Sequence, residues 1–281
     1  MSYEFILEDW LPQFLPLEVH GHYSAEVITS PCELCNNEHL RHGMRDQFDW
    51  GDPVPTDVFV MSKGEPKDRH VTKIGGLPYR DAEIDWPHTP SGRSMALLAQ
   101  FNFTDSIDIV GDLPGDLLLI FGDDADGIVE PLRCEWQNVG IDNLVRDLPG
   151  DCMRIAPCFG SRCRTESFPD AIHLDQRRKY PQYSGKDVWQ PFLLPEYQAT
   201  QIGRAPFFAQ THRDEAPALP LCTVSTVYPS PHRPFPWVNV EEPICPPGKW
   251  PRHEDLLEIG DGGSIYVFIQ DDGTLHTMTE W

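Results

Sequence analysis

The pattern of apolar and polar positions repeats within the chain. An apolar run at Leu117–Phe121 follows Gly115, and a similar run at Ile265–Ile269 follows Gly263. A pair of aspartates comes shortly after each run. A short run of β-branched and aromatic residues between turn residues is typical of a buried strand. The two runs therefore predict equivalent strands, and they indicate an internal duplication.

A second matched pair of motifs precedes these strands. The segment 72–78 reads Thr-Lys-Ile-Gly-Gly-Leu-Pro, and Thr200 begins a similar Thr-Gln-Ile-Gly-Arg-Ala-Pro. The distance from this motif to the apolar run is longer in the second copy, so we place an insertion in the proline-rich region 229–251. Few segments have a sustained helical stripe. We therefore predict a β-rich α+β fold of two pseudo-repeated lobes built on antiparallel sheets.

The repeats suggest a division of the chain into four parts. Residues 1–56 form an amino-terminal segment with a CxxC motif, and 57–156 form the first lobe. Residues 157–182 form a connecting seam, where proline and glycine interrupt the periodicity and an irregular or helical connection is expected. Residues 183–281 form the second lobe.

Several short motifs resemble the YwqG-like family of bacterial domains, in the order in which they occur in that family. They are Lys73–Tyr79, Trp86-Pro87, Leu97–Asn102, Leu113–Phe121, Phe235–Asn239 and Ile259–Phe268. The resemblance covers about residues 57–281 and implies a β-rich fold of two similar lobes. It implies no reaction and no catalytic residue. Gly203-Arg204 departs from the Gly75-Gly76 of the first copy.

Charge narrows the range of partners. The chain has 44 Asp and Glu residues against 22 Lys and Arg, a formal charge of −22. Such a charge disfavours nucleic acid and anionic membranes as partners. It fits either a solvated acidic surface or a face for a basic protein. The amino end lacks the basic region of a secretory signal, so a cytoplasmic location is expected.

The eight cysteines are then expected to be reduced thiols or metal ligands rather than disulfides. Cys32 and Cys35 have the spacing of half a tetrahedral zinc site. Cys158 and Cys163 are the best remaining pair, because Gly160 between them permits a turn. These four residues are the predicted ligands of a structural zinc ion. The alternatives left open are a ligand from His39 or His42, or scattered reduced cysteines.

Other chemical motifs are weak. We interpret Asp123–Gly127 as a hairpin turn rather than a calcium loop, because the ligand positions of an EF-hand fail at both ends. The glycines of 260–263 precede a strand rather than a helix, which argues against a phosphate cradle. The chain contains no GxGxxG, GxxxxGK[ST], HExxH or GxSxG sequence. Tryptophans such as Trp86 are expected to pack within a lobe.

Two functions remain open. The first is a non-catalytic binding or interaction protein that recognises a basic protein, in a sharper version an immunity-type protein that neutralises a basic toxin domain. The second is a hydrolase that acts in a cleft between the lobes. Residues that could serve such a cleft include His173, Asp175, the basic run 177–179, His232 and His253.

Overall fold

The fold of the chain is almost entirely β. The computed structural model describes residues 52–125, 128–167, 199–206, 208, 210, 216–226, 256–260 and 262–281. In these residues the only α-helix is α1, a single turn at Ile107–Val110. The prediction of a β-rich antiparallel fold is confirmed. Among the same residues no helix is long and apolar enough to cross a membrane.

In the described part of the chain, ten strands form one sheet. They are β1 (Val54–Lys63), β2 (Lys73–Ile74), β3 (Ala96–Asn102), β4 (Leu117–Ala125), β5 (Ile128–Gln137), β6 (Cys158–Ser167), β7 (Gln201–Gly203), β8 (Leu219–Ser225), β9 (Ser264–Ile269) and β10 (Leu275–Glu280). Their order in the sheet is β10-β9-β8-β7-β1-β6-β2-β3-β4-β5.

The centre of the sheet is the antiparallel pair β1 and β6, which runs from Val54 opposite Ser167 to Lys63 opposite Cys158. Beyond β1 lie β7, β8, β9 and β10, and beyond β6 lie β2, β3, β4 and β5. The two flanks therefore have the same sequential order when read outward from the centre. The edge strands β5 and β10 also contact each other, so the sheet curls around its own core.

One apolar cluster fills the inside of this curl. It contains Phe59 and Ile74 from central strands, Leu118 and Ile120 from β4, and the equivalent side chains of β9. We call this side of the sheet the core face. Leu119 and Phe121 alternate with the core residues and point to the outer face, where they form a second small cluster with Trp86. Both faces of β4 are thus covered, which explains its continuous apolar sequence.

The structure shifts the alignment of the two apolar runs by one residue from the alignment that the sequence predicts. In β4 the residue opposite Ala99 is Ile120, and in β9 the residue opposite Cys222 is Val267. Because Ala99 and Cys222 occupy corresponding positions beside β2 and β7, Ile120 corresponds to Val267. The sequence match aligned Ile120 with Phe268 instead. A one-residue slip exchanges the two faces of a strand, and here it would place a core residue on the outer face.

The predicted turns at the ends of β4 and β9 are hairpins. Strand β4 ends at Ala125 and pairs antiparallel with β5, which begins at Ile128. Asp123 lies within β4 rather than in the turn, and it binds Arg93. After β9, Gly273 has a φ of 83° and donates its N–H to the Gln270 carbonyl at 2.9 Å. The hairpin interpretation is confirmed in both places.

The connecting seam also differs from its prediction. Its described part is not irregular or helical but forms the ten-residue strand β6 in the middle of the sheet. Gly160, expected to make a turn, lies inside this strand opposite Met61. A Cβ at Gly160 would lie 2.7 Å from the Cβ of Phe59. Glycine is therefore used here for close packing across the strands rather than for a turn.

Candidate functional site

A connected polar cluster lies on the outer face of β2 and β3. Gln100 on β3 accepts the N–H of Tyr79 at 2.7 Å. Its amide nitrogen donates to the carbonyl oxygens of Arg69 at 2.9 Å and Val71 at 2.8 Å. Gln100 thereby ties the chain before and after β2 to the sheet. This fixed chain covers Lys73.

Lys73 is a buried cation in this cluster. Its side chain is 0% exposed, and its Nζ lies 2.7 Å from Oε2 of Glu65, whose side chain is 38% exposed. Burial lowers the pKa of Lys73, and the hydrogen bond to Glu65 opposes that change. Burial likewise lowers the pKa of the nearby Arg69, and the charge of Glu65 opposes that change. Two cations thus lie near one carboxylate.

A second buried cation, Arg80, anchors the next loop. Its Nε donates to Glu135 Oε2 at 2.7 Å. Its Nη atoms donate to the carbonyls of Ile84 at 2.9 Å and Asp85 at 2.7 Å. The guanidinium carbon lies 6.0 Å from the ring centre of Trp86, which accords with the predicted packing role of that tryptophan. Arg80 therefore fixes residues 81–86 against β5.

Two acidic loops lie side by side on this anchor. The Ala82 N–H donates to the Asn143 carbonyl at 2.8 Å, and the Val145 N–H donates to the Arg80 carbonyl at 2.9 Å. We call residues 81–85 and 141–147 the acidic loop pair. Its exposed charged residues are Glu83, Asp85, Asp142, Asp147 and Arg146. Arg80 is fully buried and paired, so it adds little positive charge to this surface.

A third network closes the core face near α1. Asp57 is fully buried on β1 opposite Arg164 of β6, which binds both Asp57 and Asp108. Ser106 Oγ donates to Asp57 Oδ2 at 2.6 Å. Hydrogen bonds to Asp57 and then to Asp108 raise the pKa of Arg164, and the bond from Arg164 lowers the pKa of Asp108. Arg164 thus forms ion pairs with Asp57 on β1 and with Asp108 on α1, and these pairs hold α1 on the sheet.

A serine, a histidine and a carboxylate meet just before β3. Ser94 Oγ lies 3.4 Å from His88 Nε2. The Ser94 N–H donates to Asp151 Oδ2 at 3.1 Å. Hydrogen bonds from the Ser94 backbone and side chain lower the pKa of Asp151, and His88 adds a smaller effect in the same direction. Sequence reasoning did not single out these residues, because Asp151 is far from Ser94 along the chain.

The structure gives a partial view of the predicted zinc ligands. Cys32, Cys35, His39 and His42 lie outside the described residues. Cys158 is buried at the start of β6, and Cys163 is five positions further along the same extended strand, so their Cα atoms are about 16 Å apart. β6 thus does not bring this pair together. Within the described part of the chain, no three His, Cys, Asp or Glu residues form a metal-binding group.

The structure does not describe the residues that were predicted to serve a catalytic cleft between lobes. His173, Asp175, residues 177–179, His232 and His253 are outside the described residues, so their role stays a prediction. Among the described residues, Cys134, Cys152 and Cys222 have free thiols. Burial raises the pKa of Cys134 to about 12.

Comparison with known proteins finds a family model that matches part of this region. A family model described as a domain of unknown function (DUF1963) matches residues 72–131. The matched segment runs from the residue before β2 into β5, and it includes Lys73, Arg80 and Gln100. No curated protein matches the chain. The match supports a domain of this kind over residues 72–131 and assigns no activity to it.

Proposed function

We propose that this chain is a non-catalytic binding protein that recognises a basic protein through the acidic loop pair. The observation that carries the proposal is the arrangement of Glu83, Asp85 and Asp142 on two loops that are hydrogen-bonded to each other. The buried Arg80 fixes the first of these loops to β5. A rigid acidic surface suits recognition, because its carboxylates need little ordering when a partner binds.

The overall charge supports the same function. The formal charge of −22 attracts basic proteins at long range and speeds their encounter with the chain. An immunity-type protein that blocks a basic toxin domain is the sharper version of this proposal. It rests on charge complementarity.

A capture experiment tests the proposal. The immobilised chain is compared with the triple variant Glu83→Gln/Asp85→Asn/Asp142→Asn and with the control variant Glu258→Gln/Asp271→Asn/Asp272→Asn, which removes the same charge from other exposed positions. We expect the same basic protein to be captured by the wild type and the control, less by the loop variant, and little at about 1 M salt. Equal capture by both variants would exclude the acidic loop pair as the docking surface.

A hydrolase is the second candidate, and the contact between Ser94 and His88 favours it. A serine hydroxyl beside an imidazole is the basic unit of nucleophilic catalysis, although here Asp151 contacts the serine instead of the imidazole. A fluorophosphonate probe tests this function. Labelling of the wild type that is lost in both Ser94→Ala and His88→Ala supports it, and an unlabelled wild type removes it.

We also propose that the chain is YwqG-like and that its two flanks descend from one duplicated unit. The order of strands is the same on both sides of β1 and β6. Strands β3 and β8 have irregular register at Leu98 and Leu221, which are corresponding positions of the two flanks. Such shared irregularities favour common descent over convergence on a similar sheet. In this proposal, β1 is the first strand of the first unit but pairs with β7 of the second. Likewise, β6 is the first strand of the second unit but pairs with β2 of the first.

A structural zinc ion and a cytoplasmic location complete the proposal. The free thiols of Cys134, Cys152 and Cys222 support a reducing compartment. For zinc, Cys32 and Cys35 remain the proposed core of the site. Cys158 or Cys163, but not both, is a further proposed ligand, because β6 holds them about 16 Å apart, and His39 or His42 is the fourth. Metal analysis of the purified chain and of Cys32→Ser/Cys35→Ser tests it. Zinc that stays bound in the double variant would contradict it.

A further inference from the structure

The carboxylate of Glu65 accepts hydrogen bonds from two donors, one on each oxygen. Its Oε2 lies 2.7 Å from Lys73 Nζ. Its Oε1 accepts the N–H of Leu77 at 2.7 Å. Gly76 packs against the same oxygen so closely that a Cβ there would overlap it. The carboxylate is therefore hydrogen-bonded by an ammonium group and a backbone N–H, and it packs against a glycine.

The donors are built into the sheet. Lys73 belongs to β2 and its side chain is fully buried. Gly75 and Gly76 have φ angles of 64° and 67°, which glycine adopts freely and which aim the Leu77 N–H at Glu65. Gly75 donates to the Leu98 carbonyl at 3.1 Å and Gly76 to the Ile155 carbonyl at 3.3 Å. The turn that carries the Leu77 N–H is therefore held by backbone hydrogen bonds that do not involve Glu65.

The site has more positive charge than Glu65 neutralises. Arg69 lies within electrostatic range of both Glu65 and Lys73. Its Nη2 donates to the Pro78 carbonyl at 2.7 Å, and its Nε is buried without a hydrogen-bond partner. A buried guanidinium N–H without an acceptor is unfavourable. The cluster therefore attracts anions in spite of the acidity of the whole chain.

Glu65 is the replaceable member of this cluster. Its side chain is 38% exposed, whereas that of Lys73 is 0% exposed. Glu65 lies outside β2, whose pairing with β3 and β6 does not involve it. A change of its side-chain rotamer can therefore move the carboxylate into solvent, while Gly64 keeps its hydrogen bond to the Pro157 carbonyl at 2.7 Å.

We propose that Lys73, Gly76, the Leu77 N–H and Arg69 form a carboxylate-binding site, which Glu65 occupies as an internal ligand. The incoming ligand is a carboxylate, either a free small acid or a group on a peptide. One of its oxygens binds Lys73 Nζ and the other binds the Leu77 N–H. The ligand must displace Glu65. Its apparent affinity for the wild type is therefore the intrinsic affinity multiplied by the fraction of molecules in which Glu65 has left the site.

Acetate titration of Glu65→Ala tests the site, with sodium chloride used to match ionic strength. We expect acetate to raise the melting temperature of Glu65→Ala in a saturable way. We also expect it to bind this variant at least about tenfold more tightly than the wild type. Adding Lys73→Met to Glu65→Ala should abolish the effect. The exposed control Glu130→Ala should respond as the wild type does.

A second measurement uses the wild type, so that its result does not depend on whether a variant folds. Acetate should shift the amide resonance of Leu77 in a saturable way, and the shift should be absent in Lys73→Met. A peptide with a free carboxyl terminus and its amidated form distinguish a terminal carboxylate from acidic side chains as the source of the ligand. Equal acetate affinity of wild type and Glu65→Ala, or no response of either beyond the chloride control, would overturn the proposal.

Discussion

Arg80 is the residue on which the acidic loop pair most depends. It is fully buried, and its principal partner Glu135 is 10% exposed. Arg80→Met leaves Glu135 with Arg133 as its remaining cation, and it leaves the two loop carbonyls that Arg80 binds without a donor. We expect a loss of about 2–4 kcal/mol in the free energy of unfolding, measured with urea. The exposed control Arg146→Met should stay within about 0.5 kcal/mol of the wild type. Equal stability of the two variants would contradict the anchoring role.

The burial of Lys73 predicts a pH dependence with a definite sign. Because its pKa in the folded chain is lowered from 10.5, the folded state loses this proton at a lower pH than the unfolded state does. Its contribution to stability is therefore constant below the lowered pKa and rises with pH between that value and 10.5.

Urea unfolding at a series of pH values checks this sign. Stability of the wild type should rise more, or fall less, through the alkaline window than stability of Lys73→Met does. The exposed control Lys67→Met should follow the wild type. Parallel pH profiles for Lys73→Met and the wild type would show that the residue titrates equally in both states.

The Cys134 thiol should be inert in the folded protein. Burial raises its pKa to about 12, so almost none of it is thiolate near neutral pH. Iodoacetamide at about pH 8, followed by peptide mass spectrometry, should modify Cys134 only after denaturant is added. Rapid modification of the native protein would mean that β5 exposes this residue.

These residues also mark what the sequence does not reveal. Lys73 and Arg80 lie in sequence of mixed polar and apolar residues, which gives no local sign that they are buried. Their neutralising partners come from elsewhere, since Glu135 is 55 positions from Arg80. Glu65 is nearer to Lys73, but only the turn at Gly75 and Gly76 brings the Leu77 N–H to the same carboxylate.

Among the elements, β4 depends on a glycine at its hairpin with β5. The register between these strands shifts between Phe121 and Gly122. A Cβ at Gly122 would overlap the Glu130 carbonyl oxygen and come within 2.6 Å of Leu98 Cδ1. We expect Gly122→Ala to cost about 1–3 kcal/mol in urea unfolding. Gly150→Ala, where a Cβ meets nothing within 4 Å, should be nearly neutral. A neutral Gly122→Ala would mean that the strands separate easily here.

The strands differ in how far the sequence predicts them. Strands β4 and β9 are evident from sequence, because both of their faces are buried and their residues are continuously apolar. Strand β6 is not evident, because it has arginines at core-face positions. Those arginines are compensated by Asp57, which lies 107 positions from Arg164. The register of β9 was missed for another reason: glycine-anchored motifs tolerate a one-residue difference in loop length, whereas side-chain direction does not.

For the whole molecule, the central feature is that β1 and β6 join both flanks into one sheet. Each flank is paired with one strand of the central pair, because β7 pairs with β1 and β2 pairs with β6. Separation of β1 from β6 would therefore divide the sheet. One apolar cluster runs through both flanks. The acidic loop pair and the Glu65 site therefore sit on a scaffold that should unfold as a unit.

Amide hydrogen exchange at increasing denaturant, followed by mass spectrometry, tests this unity most directly. Peptides from β3 and β4 and peptides from β8 and β9 should lose protection at the same denaturant concentration as those from β1 and β6. Two separate transitions, one for residues 57–156 and one for 183–281, would contradict a single sheet and favour independent lobes.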